Sequence, residues 1–233
     1  MDFRCSTSPF AELSCDALGI GLFSGHWQEQ LKAVAPDISI NALALLQQRE
    51  FKAKSGDLIC LTLPGQKPSF LLVAGLGEPE NFDGRALRST AAKLAKACVG
   101  SGVDALGLSL PLEGFAPEEA TAALVQGARL ALFKDDRFRS EPEPRNKPNS
   151  CWLLGLNEHQ EAELEKQLAI CAGVELAREL VGGPPNLVNA LSLEATARSL
   201  ANEFDLELTV LDEEGCRQKE MGAYLAVAQG ACI

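Results

Sequence analysis

The chain has 233 residues and a net charge of −11, with 46% hydrophobic and 23% charged side chains. This composition is typical of a globular protein, and no apolar run approaches the roughly 18 residues that a membrane-spanning helix requires. Residues 1–158 contain 16 basic and 19 acidic side chains, whereas residues 159–233 contain 5 basic and 13 acidic ones. Because nucleic-acid binding depends on clustered lysine and arginine, we do not expect DNA or RNA as partners.

Eight cysteines occur without a CxxC pair or regular spacing. Most lie among apolar residues, as Cys60 does in the segment LICLTL, which favours reduced core thiols over disulfides or a zinc site. Reduced thiols indicate a reducing compartment, and the N-terminal segment MDFRCSTSPFAELSC does not have the apolar stretch of a signal peptide. We therefore expect a cytoplasmic protein. The eight cysteines are Cys5, Cys15, Cys60, Cys98, Cys151, Cys171, Cys216 and Cys232.

The first part of the chain alternates strand-like and helix-like segments. Residues 17–23 (ALGIGLF) are an apolar run typical of a strand that is buried on both faces. Residues 28–34 and 38–48 carry apolar side chains at helical spacing. The apolar runs 58–63 and 70–74 are separated by the turn-forming segment PGQKP, which predicts a hairpin and hence an antiparallel pair of strands.

Helices and strands continue to alternate after this hairpin. Asp83 is suited to cap a helix over 84–99, and a strand is predicted over 103–110. A helix that begins with proline is predicted over 117–133, and the next strand over 151–155. This alternation indicates an α/β fold with a mixed, largely parallel sheet that is flanked by helices.

A polar segment, a long helix and a hinge follow. Residues 140–150 contain three prolines and are otherwise polar, which predicts an exposed loop. The helix predicted over 159–181 has apolar side chains on two faces of its second half, so we expect it to contact domains on both sides. Gly182-Gly183 can end this helix with positive φ, Pro184-Pro185 cannot continue it, and Ser192 is suited to cap the next helix.

After the hinge, the pattern indicates the beginning of a second α/β domain. A helix over 193–203 is followed by a strand over 206–211, a helix over 212–220 and a strand over 224–228. The neighbouring strands that such a sheet needs do not follow in this sequence, so we expect apolar surface to be exposed. The sequence therefore predicts an N-terminal α/β domain over 1–158, a connecting helix over 159–183 and an incomplete second domain over 184–233.

Six segments carry a resemblance to a known family. Three lie in the second part of the chain and match specifically in order and spacing, and three upstream segments match more weakly. In that arrangement they resemble the leucyl aminopeptidase family, also called cytosol aminopeptidases. The segments are LARELV (176–181), PPN (184–186), MGAYLAVAQG (221–230), EFKAKSGDLICLTLPG (50–65), LLVAGLGEPENFD (71–83) and DDRFRS (135–140).

The resemblance implies a function for the complete protein. Members of the family remove N-terminal residues from peptides with two divalent metal ions, such as manganese or zinc, and form cytoplasmic hexamers. Their metals are bridged by Asp and Glu carboxylates and bound by a Lys, and a second Lys and an Arg stabilise the developing charge. The family's marker segment NTDAEGR is not found in this sequence. We therefore assign no catalytic, cofactor-binding or metal-ligating residue to this chain, and expect it to be truncated, inactive alone and free of bound metal.

Local candidates for a site have simpler explanations. His26 and His159 are isolated in the sequence and occur in no HExxH motif. Gly75-Leu76-Gly77 follows a strand, but Glu80 stands where the third glycine of a GxGxxG turn belongs, so a strand-ending turn is favoured. Asp135-Asp136 lies beside Arg137 and Arg139, which predicts a charge-paired surface segment.

Two alternatives stay open at this point. The N-terminal domain of the family is similar to macro domains, which bind ADP-ribose, so residues 1–158 could form a ligand-binding module. The chain could also be a structural module that assembles with intact aminopeptidase subunits.

Overall fold

The computed structural model describes residues 1–8, 10–141 and 146–229. Contacts divide the chain into two compact units, Met1–Ala177 and Arg178–Ile233. Across the described ranges, no helix has the length and apolar character to cross a membrane.

The described residues of the first unit form a six-stranded sheet in the order β1-β6-β5-β2-β4-β3. Four neighbouring pairs are parallel, and β3 with β4 is the antiparallel pair that the sequence predicted as a hairpin. The predicted mixed α/β fold is thus confirmed. The first strand, at one edge of the sheet, was not predicted: its sequence DFRCS alternates polar and apolar residues as a strand does, but the signal is only five residues long. The strands are β1 (Asp2–Ser6), β2 (Ala17–Phe23), β3 (Leu58–Thr62), β4 (Phe70–Gly77), β5 (Ala105–Ser109) and β6 (Ser150–Leu154).

Five long helices belong to the described part of this unit or begin in it. The pattern-based predictions agree with the first four to within two residues at each end. Asp83 caps the third helix as predicted, because its side chain accepts a hydrogen bond from the Ala86 N–H at 2.9 Å. The second and fourth helices begin with proline, which has no N–H to leave unpaired there. The helices are α1 (Trp27–Val34), α2 (Pro36–Gln48), α3 (Gly84–Ala97), α4 (Pro117–Leu132) and α5 (Glu161–Gly182).

The central strand β2 separates two apolar cores. Its leucine and isoleucine side chains (Leu18, Ile20 and Leu22) pack with α1 and α2 in one core. On the other side, Gly19 leaves room for Leu94 of α3 and Leu108 of β5, whose side chains lie within 3.2 Å of the place of a Cβ. Both faces of the strand are therefore covered, as its unbroken apolar sequence predicts.

Asp16, the residue before β2, ties together the beginnings of three strands. Its carboxylate Oδ2 accepts hydrogen bonds from the N–H groups of Asp104 and Ala105, both at 3.0 Å. Its own N–H donates to the Ala105 carbonyl, and its carbonyl accepts from the Phe70 N–H. These bonds hold β5 and β4 on either side of β2 in register.

The helices α3 and α4 approach closely at Gly127. This residue is buried in α4, and a Cβ there would clash with the backbone carbonyl of Arg88 in α3. Two turns of helix can touch backbone to backbone only where a side chain is missing. Gly127 therefore sets the spacing of the two helices that cover one face of the sheet.

The first part of α5 is held to α4 by polar contacts. The Arg129 guanidinium binds both carboxylate oxygens of Glu175, at 3.0 and 2.8 Å, and also donates to the Leu168 carbonyl. The buried side chains of α5 are Leu164, Gln167 and Cys171.

The two apolar faces predicted for the second half of α5 are not the buried ones. Of the apolar side chains on these two faces, Ile170, near the middle of the helix, is 42% exposed and Val181 is 88% exposed. The side chains that are buried lie on the first two thirds of the helix, which shows that apolar spacing alone does not decide which face is covered.

The second unit contains three further helices in its described residues. Helix α6 begins three residues earlier than predicted, because Asn189 and not Ser192 is its cap. The Asn189 side chain accepts from the Leu191 and Ser192 N–H groups, and Ser192 Oγ accepts from the Asn189 N–H. Asp212, predicted as the first residue of the next helix, is its cap, because its side chain accepts a hydrogen bond from the Gly215 N–H. The helices are α6 (Ala190–Phe204), α7 (Glu213–Gln218) and α8 (Gly222–Ala228).

The hinge ends α5 differently from the prediction. Helix α5 ends at Gly182, but neither Gly182 nor Gly183 has positive φ. The Pro184 carbonyl accepts hydrogen bonds from the N–H groups of Leu187 and Val188, which closes a turn directly after the prolines. The prolines therefore end the helix without a left-handed glycine.

Two predicted strands of the second unit are wrong. Residues 206–211 form no regular secondary structure, and residues 224–228 lie in the helix α8. A strand is stabilised by hydrogen bonds to a neighbouring strand, whereas a helix satisfies its backbone within itself. Apolar runs without a neighbouring strand in 178–229 therefore do not form a sheet.

Large apolar side chains are exposed throughout the second unit, as the sequence predicts. Val227 is 84% exposed and Tyr224 is 67% exposed. Large apolar side chains exposed in this number are typical of a surface that makes contacts with another part or partner. The other exposed apolar side chains of this unit are Val181, Leu187, Leu191, Leu193, Phe204, Leu206, Leu208, Val210 and Leu211.

The polar loop predicted over 140–150 follows α4 and a charged segment. Its described residues 140, 141 and 146–149 lie outside helices and strands, and Pro148 is buried. Residues 142–145 lie outside the described part of the chain.

The role of Asp16 predicts a graded loss of stability. Asp16→Ala removes the acceptor of two backbone N–H groups and is expected to lower the free energy of unfolding by about 1–3 kcal/mol. Asp16→Asn keeps one oxygen acceptor and is expected to lose less than half as much. Urea unfolding followed by tryptophan fluorescence measures both, because the two tryptophans, Trp27 and Trp152, lie in the first unit. Equal losses for the two variants would contradict the role of the side-chain acceptor.

The close approach at Gly127 predicts opposite effects of the same substitution at two helical glycines. Gly127→Ala forces α3 and α4 apart and is expected to lower the free energy of unfolding by about 1–3 kcal/mol. Gly173→Ala is the control, because a Cβ at Gly173 in α5 meets no atom within 4 Å. It is expected to raise stability by about 0.5–1 kcal/mol through the lower entropy of the unfolded chain. The same urea titration tests the pair, and a stabilising Gly127→Ala would show that the helices can move apart freely.

Candidate functional site

A cleft lies at the carboxyl ends of β2 and β5. In parallel sheets, ligands bind where neighbouring strands end and their connections diverge. The cleft has a volume of about 360 Å³, and the Gln30 side chain at its rim accepts a hydrogen bond from the Phe23 N–H at 2.8 Å. The sequence did not point to it, because its walls come from three separate segments. The lining residues are Gly21, Phe23, Gln30, Ala33, Val34, Ser109, Leu110, Pro111 and Glu113.

The charge of this cleft does not suit a phosphate-bearing ligand. Glu113 is the one charged side chain among its described lining residues. A diphosphate such as that of ADP-ribose is stabilised by donors and positive charge, which this lining does not supply. Binding of an ADP-ribose-like ligand in this cleft, the alternative for residues 1–158, is therefore not favoured.

The glycines at the end of β4 allow the backbone of this strand to lie directly against the backbone of residues 53–57. A Cβ at Gly75 would clash with the Lys54 carbonyl, and Gly77 has a φ of +75°. The Gly77 N–H donates to the Ala53 carbonyl, and the Gly75 N–H donates to the Asp57 carbonyl, each at 2.9 Å. The Gly75-Leu76-Gly77 segment thus ends the strand against residues 53–57, as the sequence favours.

The two histidines occupy separate surface positions. His26 is exposed just before α1, and its side chain makes no capping hydrogen bond. His159 is exposed in a short 3₁₀ turn, where its backbone N–H donates to Asn157 Oδ1. Among the described residues, no three His, Cys, Asp or Glu side chains converge as metal ligands. The described side chains therefore do not fit the carboxylate-bridged metal pair that the sequence resemblance implies.

The acidic pair after α4 is neutralised by its neighbours, as predicted. Asp135 binds Arg137 through both oxygens, and this pairing lowers the pKa of the Asp135 carboxyl to about 2. Asp136 pairs with Lys134 at 2.8 Å and lies 3.4 Å from Arg139 Nε. Both carboxylates are occupied by cations of this chain.

None of the described cysteines forms a disulfide. Burial raises the pKa of Cys15 to about 11 and that of Cys98 to about 12, so both are neutral thiols at physiological pH. Cys60 is exposed, contrary to the core position predicted for it, because β3 is an edge strand with one buried residue among its five. Cys232 lies outside the described residues.

Family comparisons match both parts of the chain. The model of the N-terminal domain of the cytosol aminopeptidase family matches residues 20–142. The model of the catalytic domain of the same family matches residues 175–233. The two matches occur in family order and together include most of the sequence.

Curated relatives are similar over the whole chain. A probable cytosol aminopeptidase of Synechococcus sp. strain RCC307 is 58% identical over 233 residues, which are 100% of this chain and 46% of that protein. A probable cytosol aminopeptidase of Gloeothece citriformis is 37% identical, over 99% of this chain and 48% of that protein. The chain thus spans about half the length of the curated relatives it matches.

Solved structures share the fold. A mutant of tomato leucine aminopeptidase superposes with a TM-score of 0.81 and 26% identity, over 98% of this chain and 48% of that chain. The bottromycin maturation enzyme BotP, in complex with manganese, has a TM-score of 0.66 and 22% identity, over 87% of this chain and 40% of that chain. The fold, the order of the two family matches and the relatives agree, and this chain belongs to the cytosol aminopeptidase family.

Proposed function

We propose that the complete protein of which this chain is a part is a metal-dependent aminopeptidase that removes N-terminal residues from peptides. The observation that carries the proposal is the pair of family matches, N-terminal domain over 20–142 and catalytic domain over 175–233. The 58% identity to a probable cytosol aminopeptidase over the whole chain supports it.

The chain contributes scaffold rather than chemistry to this activity. We propose that residues 1–158 are the N-terminal domain, residues 159–183 the connecting helix and residues 184–233 the beginning of the catalytic domain. The N-terminal match ends at residue 142 and the catalytic match begins at residue 175, on either side of the first part of α5.

The exposed apolar surface of the second unit has a role in this proposal. The side chains of Val181, Tyr224 and Val227 are 88%, 67% and 84% exposed. In the complete protein this surface packs against the rest of the catalytic domain. Burial of large apolar side chains contributes about 1.5–3 kcal/mol each, so the completed domain would stabilise this part of the chain.

Two divalent metal ions, manganese or zinc, supply the chemistry in the complete protein: they activate water and polarise the peptide carbonyl. Their ligands lie outside these 233 residues, since the segment NTDAEGR is absent from them. BotP, which has the same fold, was solved with manganese. We further propose that the complete protein is cytoplasmic and assembles as a hexamer, on the family resemblance of the sequence.

The activity is tested by comparing the chain with a completed form. Residues 1–233 are fused to the remainder of the catalytic domain of the Synechococcus sp. strain RCC307 relative, beyond the part that matches this chain. The fusion is expected to hydrolyse leucyl-p-nitroanilide with added manganese, and to lose this activity when a chelator is added. The unfused chain is expected to show no turnover above a buffer blank and to bind no metal at two ions per chain.

The intact Synechococcus sp. relative serves as the positive control. A folded fusion without activity, where that relative is active, would contradict the proposal that this chain is the N-terminal part of an aminopeptidase. Turnover or tight metal binding by the unfused chain would contradict the proposal that the chemistry lies outside it.

A further inference from the structure

A second cavity, larger than the cleft, lies at the opposite edge of the sheet. It has a volume of about 620 Å³. It is formed by the C-terminal ends of α3 and α4, the segment after α4 and the residue Lys147, which precedes β6. This is the amino edge of the parallel strands, away from the carboxyl-end cleft. The lining residues are Lys96, Val99, Ala131, Leu132, Phe133, Lys134, Asp136, Arg139 and Lys147.

The lining is strongly cationic in an acidic protein. Four of its nine residues are lysine or arginine and one is acidic, whereas residues 1–158 as a whole contain more acidic than basic side chains. Like charges repel, so a folded chain gathers four cations around one cavity only at an electrostatic cost. A bound anion would offset this cost.

The acidic residue does not neutralise the cavity. Asp136 pairs with Lys134 at 2.8 Å and lies 3.4 Å from Arg139. Lys96 and Lys147 are exposed, and within residues 1–8, 10–141 and 146–229 no ion-pair partner is found for either. At least two positive charges thus face the cavity without a counter-charge.

Lys134 provides an inner donor. Its ammonium nitrogen is buried from solvent, and in the described part of the chain its contact is the one with Asp136. An ammonium group has three N–H donors, so hydrogen-bonding capacity is left over at a buried position. Buried donors are normally satisfied, and a ligand oxygen would satisfy this one.

The helix dipole does not explain the cluster. A lysine in the last turn of a helix is stabilised by the negative C-terminal end, which accounts for Lys96 in α3. Lys134, Arg139 and Lys147 lie outside the helices, in the segments after α4 and before β6. Lys134 and Arg139 pair with Asp136, but neither this pairing nor a helix dipole accounts for Lys147 beside them.

One wall of the cavity is apolar. Val99, Leu132 and Phe133 line it beside the cations. Small-molecule sites combine apolar walls with a few placed charged groups, in volumes of about 300–1,000 Å³. The volume of the cavity lies within this range, and four of its nine lining residues are apolar.

We propose that this cavity binds a small molecule that carries a chain of two or more phosphates, such as a diphosphate or triphosphate. The phosphate oxygens contact Lys134 inside the cavity and Lys96, Arg139 and Lys147 at its rim, and the rest of the molecule lies on the apolar wall. This binding is separate from the proposed peptidase activity and can be tested on the chain of 233 residues.

The probes are inorganic pyrophosphate and ATP, titrated into the chain by isothermal calorimetry at low salt. Both are expected to bind, and ATP more tightly, because the apolar wall can contact its base. The double variant Lys96→Gln/Lys147→Gln is expected to weaken the binding of each probe at least tenfold. The matched control is Lys32→Gln/Lys93→Gln, which removes the same net charge from exposed lysines outside the cavity, one of them on the same helix α3.

The control variant Lys32→Gln/Lys93→Gln is expected to change the affinity for pyrophosphate and for ATP less than twofold. Circular dichroism checks that all variants are folded, and the single variant Lys147→Gln replaces the double one if that is not folded. Absence of binding of both probes at millimolar concentration would overturn the proposal. An equal loss in the control would also overturn it, since binding would then reflect net charge and not this cavity.

Discussion

The arrangement of the strands in the first unit depends on the carboxylate of Asp16, which fixes where β2 and β5 begin relative to each other. Asp16 lies directly before the central strand β2 and accepts hydrogen bonds from Asp104 and Ala105 at the start of β5, while its backbone pairs with both β5 and β4. The Asp104 carbonyl continues this arrangement, because it accepts from the N–H groups of Asn149 and Ser150 at the start of β6. Strand register decides which side chains reach each edge and each face of the sheet. The cleft at one edge and the cationic cavity at the other both follow from it.

The two units differ in how completely they bury their apolar residues. The first has two cores, one on each side of the sheet, which α1 and α2 cover on one face and α3 and α4 on the other. In the second unit, most large apolar side chains are exposed, and Cys216 is the buried apolar residue among those described. No metal ligands converge among the described residues of either unit, and the segment that matches the catalytic-domain model leaves most of its large apolar side chains exposed.

The sequence predicted the interactions of charged residues correctly where all partners lie in one short segment. Asp135 and Asp136 are adjacent to their cationic partners in the chain, so their pairing could be predicted from spacing. The cationic cavity could not be predicted, because Lys96, Lys134 and Lys147 are far apart in the sequence and only the ends of α3 and α4 bring them together. The carboxyl-end cleft was missed for the same reason. Charge summed along the chain had indicated an acidic protein without nucleic-acid partners, whereas the folded chain brings four cationic side chains together around one cavity.

By itself, the sequence determined the helices and buried strands of the first unit, since apolar periodicity, prolines and the Asp83 cap act within a few residues of where they stand. It also determined the family, through segments in a specific order. Only the tertiary structure decided the outcome for residues 206–211 and 224–228, whose strand-like patterns lead to an irregular segment and a helix. The physical reason is that a strand requires a partner to accept its hydrogen bonds, and the partner is a property of the fold and not of the segment. The same holds for Cys60, whose apolar neighbours indicate burial but whose place on an edge strand leaves it exposed.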